Sequence, residues 1–117
     1  MDVVMPVGEY VSLDGQLKFL ITCPDGDWTI GFDGFPWHTH GSILAALSGQ
    51  DEIPAVERFL ADLIGNVSVI TLTRISGKLV DVWVSDDPAQ DLSDCKRYDS
   101  AEHTVEFRLW NGTRVDI

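Results

Sequence analysis

The sequence predicts an α+β fold: a mostly antiparallel β-sheet with one main amphipathic helix, plus a short helix, packed on one face. Three observations predict it. Four segments alternate apolar and polar residues with a period of two, the pattern of a half-buried strand. Residues 53–64 instead repeat apolar side chains with the 3.6 period of a helix. The strands come in consecutive runs with the helices inserted once, which indicates α+β rather than alternating α/β. Size and composition agree. The 117 residues suit a single domain over 1–117 with one hydrophobic core. Hydrophobic residues make up 44% and charged residues 23%, ordinary globular usage, so metal or disulfide support is not required.

Each element has its own warrant. Val3 to Val11 is expected as a short edge strand, its pairing limited by Pro6. Leu17 to Cys23 reads as a strand, Pro24-Asp25-Gly26-Asp27 as a turn, and Trp28 to Asp33 as the partner strand with Trp28, Ile30 and Phe32 on one face. Gly34 to Gly41, GFPWHTHG, reads as a loop from its Gly and Pro content. Ser42 is expected to cap a short helix, Ile43 to Leu47, that Gly49 ends. Asp51 is expected to cap the main helix, with Glu52 and Pro54 suited to its first turn. Ile53, Val56, Phe59, Leu60, Leu63 and Ile64 share its apolar face, Glu57, Arg58 and Asp62 fall largely on the other, and Gly65-Asn66 is the stop.

Val67 to Ile75 is rich in β-branched residues and reads as a central strand. Ser76-Gly77-Lys78 is its turn, and Leu79 to Ser85 follows with Val80, Val82 and Val84 on one face and Asp81 and Trp83 on the other. Asp86 to about Ser100 reads as a flexible, exposed loop. His103 to Trp110 alternates again, with Val105, Phe107 and Leu109 inward and Thr104, Glu106 and Arg108 outward. Asn111-Gly112 is a strong hairpin signal, and Thr113 to Ile117 is expected as a final strand. The expected buried set is Phe59, Leu60, Leu63, Val69, Val82, Val84, Phe107 and Leu109.

Charge narrows the partners. Nineteen Asp and Glu against eight Lys and Arg give a formal net charge of −11. Nucleic acid and anionic membrane require a basic footprint, so neither is an expected partner. A basic protein is, because an acidic surface attracts it before contact. The first twelve residues carry no Lys or Arg and are interrupted by Pro6, Gly8 and Glu9, unlike a secretory signal. No apolar run approaches the roughly 18 residues of a membrane helix, and a cytoplasmic location is expected. Cys23 and Cys95 are too far apart for a CxxC motif and are expected as reduced thiols, Cys23 in the core.

Motifs that carry chemistry are absent: no G-x-S-x-G, P-loop or dinucleotide glycine pattern occurs. His38-Thr39-His40 places two imidazoles on one side of an extended backbone, the start of a metal site, with Asp33 or His103 as third ligand. Nothing in their spacing recommends the set, so no metal or other cofactor is expected. The same histidines with Lys96 would be the acid–base residues of a nuclease, which the charge opposes. Asp25, Asp27 and Asp33 fail the calcium-loop pattern. What remains points to recognition. Asp86, Asp87, Asp91 and Asp94 form the densest acidic run, an anionic lure for Lys and Arg. Phe35 and Trp37 are aromatic anchors of a type enriched at interfaces, beside His38 and His40.

In size, acidity and lack of catalytic motifs, together with the loop GFDGFPWHTHG, the chain resembles the small acidic immunity proteins that bacteria hold against their own toxins. The resemblance implies a protein-binding inhibitor, not an enzyme, that neutralises a basic toxin or nuclease by direct binding. It implies no particular residue, since such families differ in fold. Two further expectations stand beside it: a structural or accessory domain that oligomerises through an edge strand, and a small metal-dependent enzyme using His38 and His40.

Overall fold

Two tight turns, Asp25-Gly26 and Ser76-Gly77, set much of the strand pairing. A computed structural model describes residues 7–96, apart from the Lys96 side chain, and 102–117. At the first turn Asp25 and Gly26 both take positive φ, 52° and 81°, and Asp27 N–H donates to the Pro24 carbonyl. Asp and Gly tolerate this left-handed geometry, so the chain reverses there. β2 (Lys18–Thr22) thereby pairs antiparallel with β3 (Thr29–Phe32). β1 (Gly8–Val11) adds to the outer side of β2, and β4 (His38–His40) to the far side of β3. The expected edge strand is thus present at its C-terminal end, while residues 1–6 lie outside the description.

β4 corrects the expectation of a loop from Gly34 to Gly41. Its strand character comes from its neighbour. Gly31 stands opposite His38, and a Cβ there would lie 2.7 Å from the Trp37 carbonyl oxygen. Glycine alone lets the two backbones approach this closely.

α1 (Gly41–Ser48) follows directly and ends at Gly49, whose φ of 71° closes the helix as expected. Its cap position is His40 rather than Ser42, and no side chain caps it. α2 (Glu52–Ile64) begins after Asp51 and buries Ala55, Val56 and Leu63, while the Phe59 ring stacks on Phe19 at 6.2 Å. Arg58 and Asp62 meet across one turn of its outer face at 3.7 Å. The left-handed residue behind α2 is Asn66, φ 62°, not Gly65.

β5 (Val69–Ile75), β6 (Lys78–Ser85) and β7 (His103–Arg108) form a second antiparallel sheet in the order β6-β5-β7, beside the first in the order β1-β2-β3-β4. The fold is α+β as read from the sequence, but with two sheets in place of one. Ser76 and Gly77, φ 52° and 80°, make the two-residue turn between β5 and β6. α3 (Pro88–Lys96) packs against β5 and β7 and corrects the expected loop from Asp86 onward; residues 97–101 of that loop are outside the description.

Register corrects two facing assignments. A bulge between Thr73 and Arg74 sets Leu79, rather than Val80, opposite Arg74, so Leu79 packs on the core and Val80 is exposed. In β7, Glu106 pairs with Leu72 and Arg108 with Ile70, and directly opposed residues share a face. Glu106 and Arg108 therefore stand on the main-core side, and Val105 and Phe107 on the other. The reason is that both faces of this sheet are covered, one by the main core and one by α3. Beyond β7, Gly112 has φ 96° and Asn111 Oδ1 accepts the Thr113 N–H, giving a wider turn than a two-residue hairpin. The expected final strand is reduced to one bridge, Arg108 to Arg114.

One hydrophobic cluster draws on both sheets and α2: Phe19, Ile21 and Ile30 from the first sheet meet Val56 and Leu63, and Ile70, Leu72 and Val82 from the second. Of the expected buried set, Leu63, Val82, Val84 and Phe107 are buried, and Phe59, Leu60, Val69 and Leu109 are half-buried. No helix among the described residues is long and apolar enough to cross a membrane. Leu63→Ala should lower the free energy of urea unfolding by about 2–5 kcal/mol, since the site is closed on all sides. Val67→Ala, on an exposed side chain, should stay within about 0.5 kcal/mol in the same measurement.

Candidate functional site

The acidic run divides into structural and exposed carboxylates. Asp87 sits just before Pro88, the first residue of α3, and its Oδ1 accepts the Gln90 N–H at 3.2 Å. This is N-terminal capping, with proline where its missing N–H costs nothing. Asp91 turns inward. Its Oδ2 accepts the indole N–H of Trp83 at 2.9 Å and the hydroxyl of Ser85, which ties α3 to β6. Asp94 accepts the Gln90 side-chain amide at 3.0 Å on the exposed face of the helix. Asp86, Asp87 and Asp94 are exposed, and Asp91 is not. Asp91 is therefore a fastening of the fold rather than part of an open anionic surface.

The aromatic and histidine residues lie on the other sheet. Phe35 and Trp37 are half-buried, and Trp37 sits 6.1 Å from Phe32, ring centre to ring centre. With Leu20, Gly31, Pro36 and His38 they line a shallow cavity of about 190 Å³. His38 and His40 project from the same side of β4, their rings 5.1 Å apart and edge to face. His38 Nδ1 lies 3.1 Å from the Pro36 carbonyl, and His40 Nδ1 lies 3.2 Å from Asp27 Oδ1. Among the described residues no group of three His, Cys, Asp or Glu side chains converges on a point. His103 is on β7, in the second sheet, and Asp33 is exposed in the β3–β4 turn. The Lys96 side chain lies outside the description. Cys23 packs, half-buried, on the core.

Sequence reasoning missed a second constellation, built from arginines. Arg108 is 3% exposed and is held by Asp14 Oδ2 at 2.7 Å and by the carbonyls of Leu109 and Trp110 at 3.1 Å each. Asp14 is itself fixed: its Oδ1 accepts the Ser12 hydroxyl at 2.6 Å and the Gln16 N–H at 3.1 Å. Beside this pair, Glu106 takes Arg74 on one oxygen at 2.9 Å and Arg114 on the other at 2.7 Å. The hydrogen bond from Arg108, then that from Ser12, holds the Asp14 carboxyl far below the usual carboxylate range. Burial alone would raise the Glu106 carboxyl, but the hydrogen bond from Arg74 and the charges of Arg74, Arg114 and Arg108 together hold it below that range. The available signal was weak: an alternating strand with Glu106 and Arg108 on one face, and Asp14 ninety-four positions from Arg108.

Comparison of the chain with protein-family models, with curated proteins and with solved structures found no match. The site rests on its own geometry.

Two outcomes test this division of the carboxylates. Asp91→Asn should cost about 1–3 kcal/mol in urea unfolding, because Trp83 and Ser85 lose a charged acceptor. Asp94→Asn should stay within about 0.5 kcal/mol. Asp14 titrates lower in the folded than in the unfolded chain, whose reference value is 3.8. Its contribution is therefore present above about pH 4 and lost as pH falls further toward the folded-state value. Asp14→Asn should flatten the stability–pH profile below about pH 4, read from thermal unfolding across that range, leaving the slope that Glu106 contributes.

Proposed function

We propose that the chain is a protein-binding module, of the immunity-inhibitor kind, that neutralises a basic toxin or nuclease by occupying it. One observation carries the reading. Among the described basic side chains, Lys18, Arg58, Arg74, Arg108 and Arg114 each lie within 3.7 Å of a carboxylate of the same chain. Most of the described cations are thus used within the chain; Lys78, exposed at the start of β6, has no carboxylate partner among the described residues. Asp25, Asp33, Asp51, Glu57, Asp86, Asp87 and Asp94 stay exposed with no cation beside them among the described residues. A surface of this kind attracts a basic protein and repels phosphate polymers.

The proposed division of labour follows from distance. Asp86, Asp87 and Asp94 on and before α3 act at range, up to a Debye length of about 10 Å at 0.1 M salt. They raise the rate of encounter. Trp37 and Phe35, around their shallow cavity on the other sheet, act only at contact and slow release. Steering does not require the two groups to touch the same patch of the partner. The protein is proposed to reside in the cytoplasm, where such a partner would be held inactive, and to need no cofactor.

The test is kinetic. A basic partner captured from the source cells on the immobilised chain is purified, and its association is followed against salt. The Asp86→Asn, Asp87→Asn, Asp94→Asn triple variant should associate roughly tenfold more slowly at low salt, with a flatter salt dependence. Asp91 is left in place because it fastens α3. Trp37→Ala should instead raise the dissociation rate, by about 2 kcal/mol or more in binding free energy. Association of the triple variant at the wild-type rate at low salt would remove the electrostatic half of the reading. Capture of nucleic acid in place of a basic protein would remove the whole.

A further inference from the structure

We propose that the cavity between the β1–β2 turn and β7 is a binding site for a small oxyanion, a phosphate or carboxylate group carried on a small molecule. It is independent of the acidic surface above. The cavity measures about 540 Å³ and is lined by Arg74, Arg108 and Arg114 with Asp14 and Glu106. That lies within the roughly 300–1,000 Å³ typical of small-molecule pockets.

The charge balance of the cavity is unlike that of the rest of the molecule. In a chain of net charge −11, three guanidiniums meet two carboxylates here, leaving one positive charge uncompensated. Glu106 has one oxygen for each of Arg74 and Arg114, so both arginines share a single negative charge. Each gives one terminal nitrogen to Glu106, Nη1 of Arg74 and Nη2 of Arg114. The remaining N–H groups of both face no acceptor among the described residues. A guanidinium presents its donors as a planar fork that matches the two oxygens of a phosphate or carboxylate.

Exposure is divided to suit capture. Arg108 is buried and fully held, and with Asp14 forms a fixed floor. Arg74 is one-quarter exposed, whereas the Arg114 side chain is 79% exposed and tethered only through Glu106. Arg114 is therefore able to swing onto an entering anion while Glu106 remains paired with Arg74. Thr104 contributes a hydroxyl on the same wall, exposed and without a hydrogen-bond partner among the described residues. Both carboxylates of the cavity are already engaged by arginines, and the proposal is one of binding.

The experiment titrates the full-length chain with inorganic phosphate, and separately with acetate, against sodium chloride at matched ionic strength. Backbone amide shifts of Glu106, Arg108 and Gly112 are followed by NMR. Saturable shifts are expected with half-saturation on the order of 1 mM. Phosphate saturating alone identifies a phosphate ligand, acetate saturating alone a carboxylate, and either supports the site. Arg74→Gln should weaken binding about tenfold, the loss of one charge-assisted hydrogen bond. Arg114→Gln should do the same, and because its side chain is exposed it leaves the fold in place should the Arg74 variant unfold. Arg58→Gln, on the outer face of α2, should leave the titration unchanged. Shifts that track chloride without saturating, or an Arg114→Gln chain that titrates as the wild type does, would overturn the proposal.

Discussion

Burying the guanidinium of Arg108 is the constraint on which the joining of the two sheets depends. An arginine cannot shed its charge, so it must be met by an anion and by carbonyls or it will not enter the core. The chain supplies these from two distant places. Leu109 and Trp110 offer carbonyls from the turn after β7, and Asp14 offers its carboxylate from the turn after β1. The second turn is prepared for the task. Ser12 donates to Asp14 and accepts the Leu17 N–H, which shapes the turn around the carboxylate through local contacts alone. Leu17 and Trp110, both buried and close in sequence to the pair's two turns, belong to the one hydrophobic cluster. Removing either charge leaves the other stranded, which costs more than the pair contributes when intact. The pair therefore acts less as a source of stability than as a condition on how the sheets are placed.

This also explains which parts of the fold were legible. Turns whose chemistry is local were read correctly: Asp25-Gly26 and Ser76-Gly77 take the positive φ that their residue types allow, whatever the surroundings. The amphipathic stripe of α2 was legible for the same reason, since one face is buried and one is wet. β7 was misread because period-two alternation identifies two faces but does not name them. With α3 over one face and the core over the other, apolar and charged residues both become inward-facing. Arg108 looked solvent-directed because its partner lies at Asp14, at a separation that no local pattern reports. β4 was invisible because three residues hold a strand only when a glycine opposite admits them. α3 was legible in principle. Asp87 followed by Pro88 is a helix start as much as a turn, and the run of aspartates drew attention to its charge rather than to its caps. Of the candidate site, the clustering of Phe35, Trp37 and His38 was legible because they are adjacent in sequence. The inward role of Asp91 was not, because it depends on Trp83 and Ser85.

Placement of the few cations has a consequence for the whole surface. Had Lys and Arg been scattered outward among the carboxylates, they would have screened them at short range. Most of the described cations are instead committed to ion pairs, three of them around one cavity and the floor beneath it. The remaining carboxylates repel one another across the outer face, a cost that exposure to water keeps small and that salt reduces further. Part of that cost is recovered where an acidic residue precedes or begins a helix, as Asp87 does at α3 and Asp51 with Glu52 at α2. Electrostatic contrast between a negative exterior and one positive recess follows from the pairing pattern itself.

The recess and the exterior also differ in how firmly they are held, and this bears on what each is suited to bind. α3 is a short helix secured at its start by Asp87 and in its middle by the bonds from Trp83 and Ser85 to Asp91. The exposed aspartates on and beside it are thus presented on an ordered scaffold, and less conformational entropy is lost when a partner docks than on a free loop. A flexible acidic segment would attract a basic protein equally well at long range, but it would bind less selectively on contact. The Arg108–Asp14 floor is held more firmly still, while Arg114 above it is loosely tethered. In the proposed anion site the floor would set the position of a small ion and the exposed arm would govern its retention. The same few residue types therefore produce two kinds of charged surface, distinguished by how completely each charge is already satisfied within the fold.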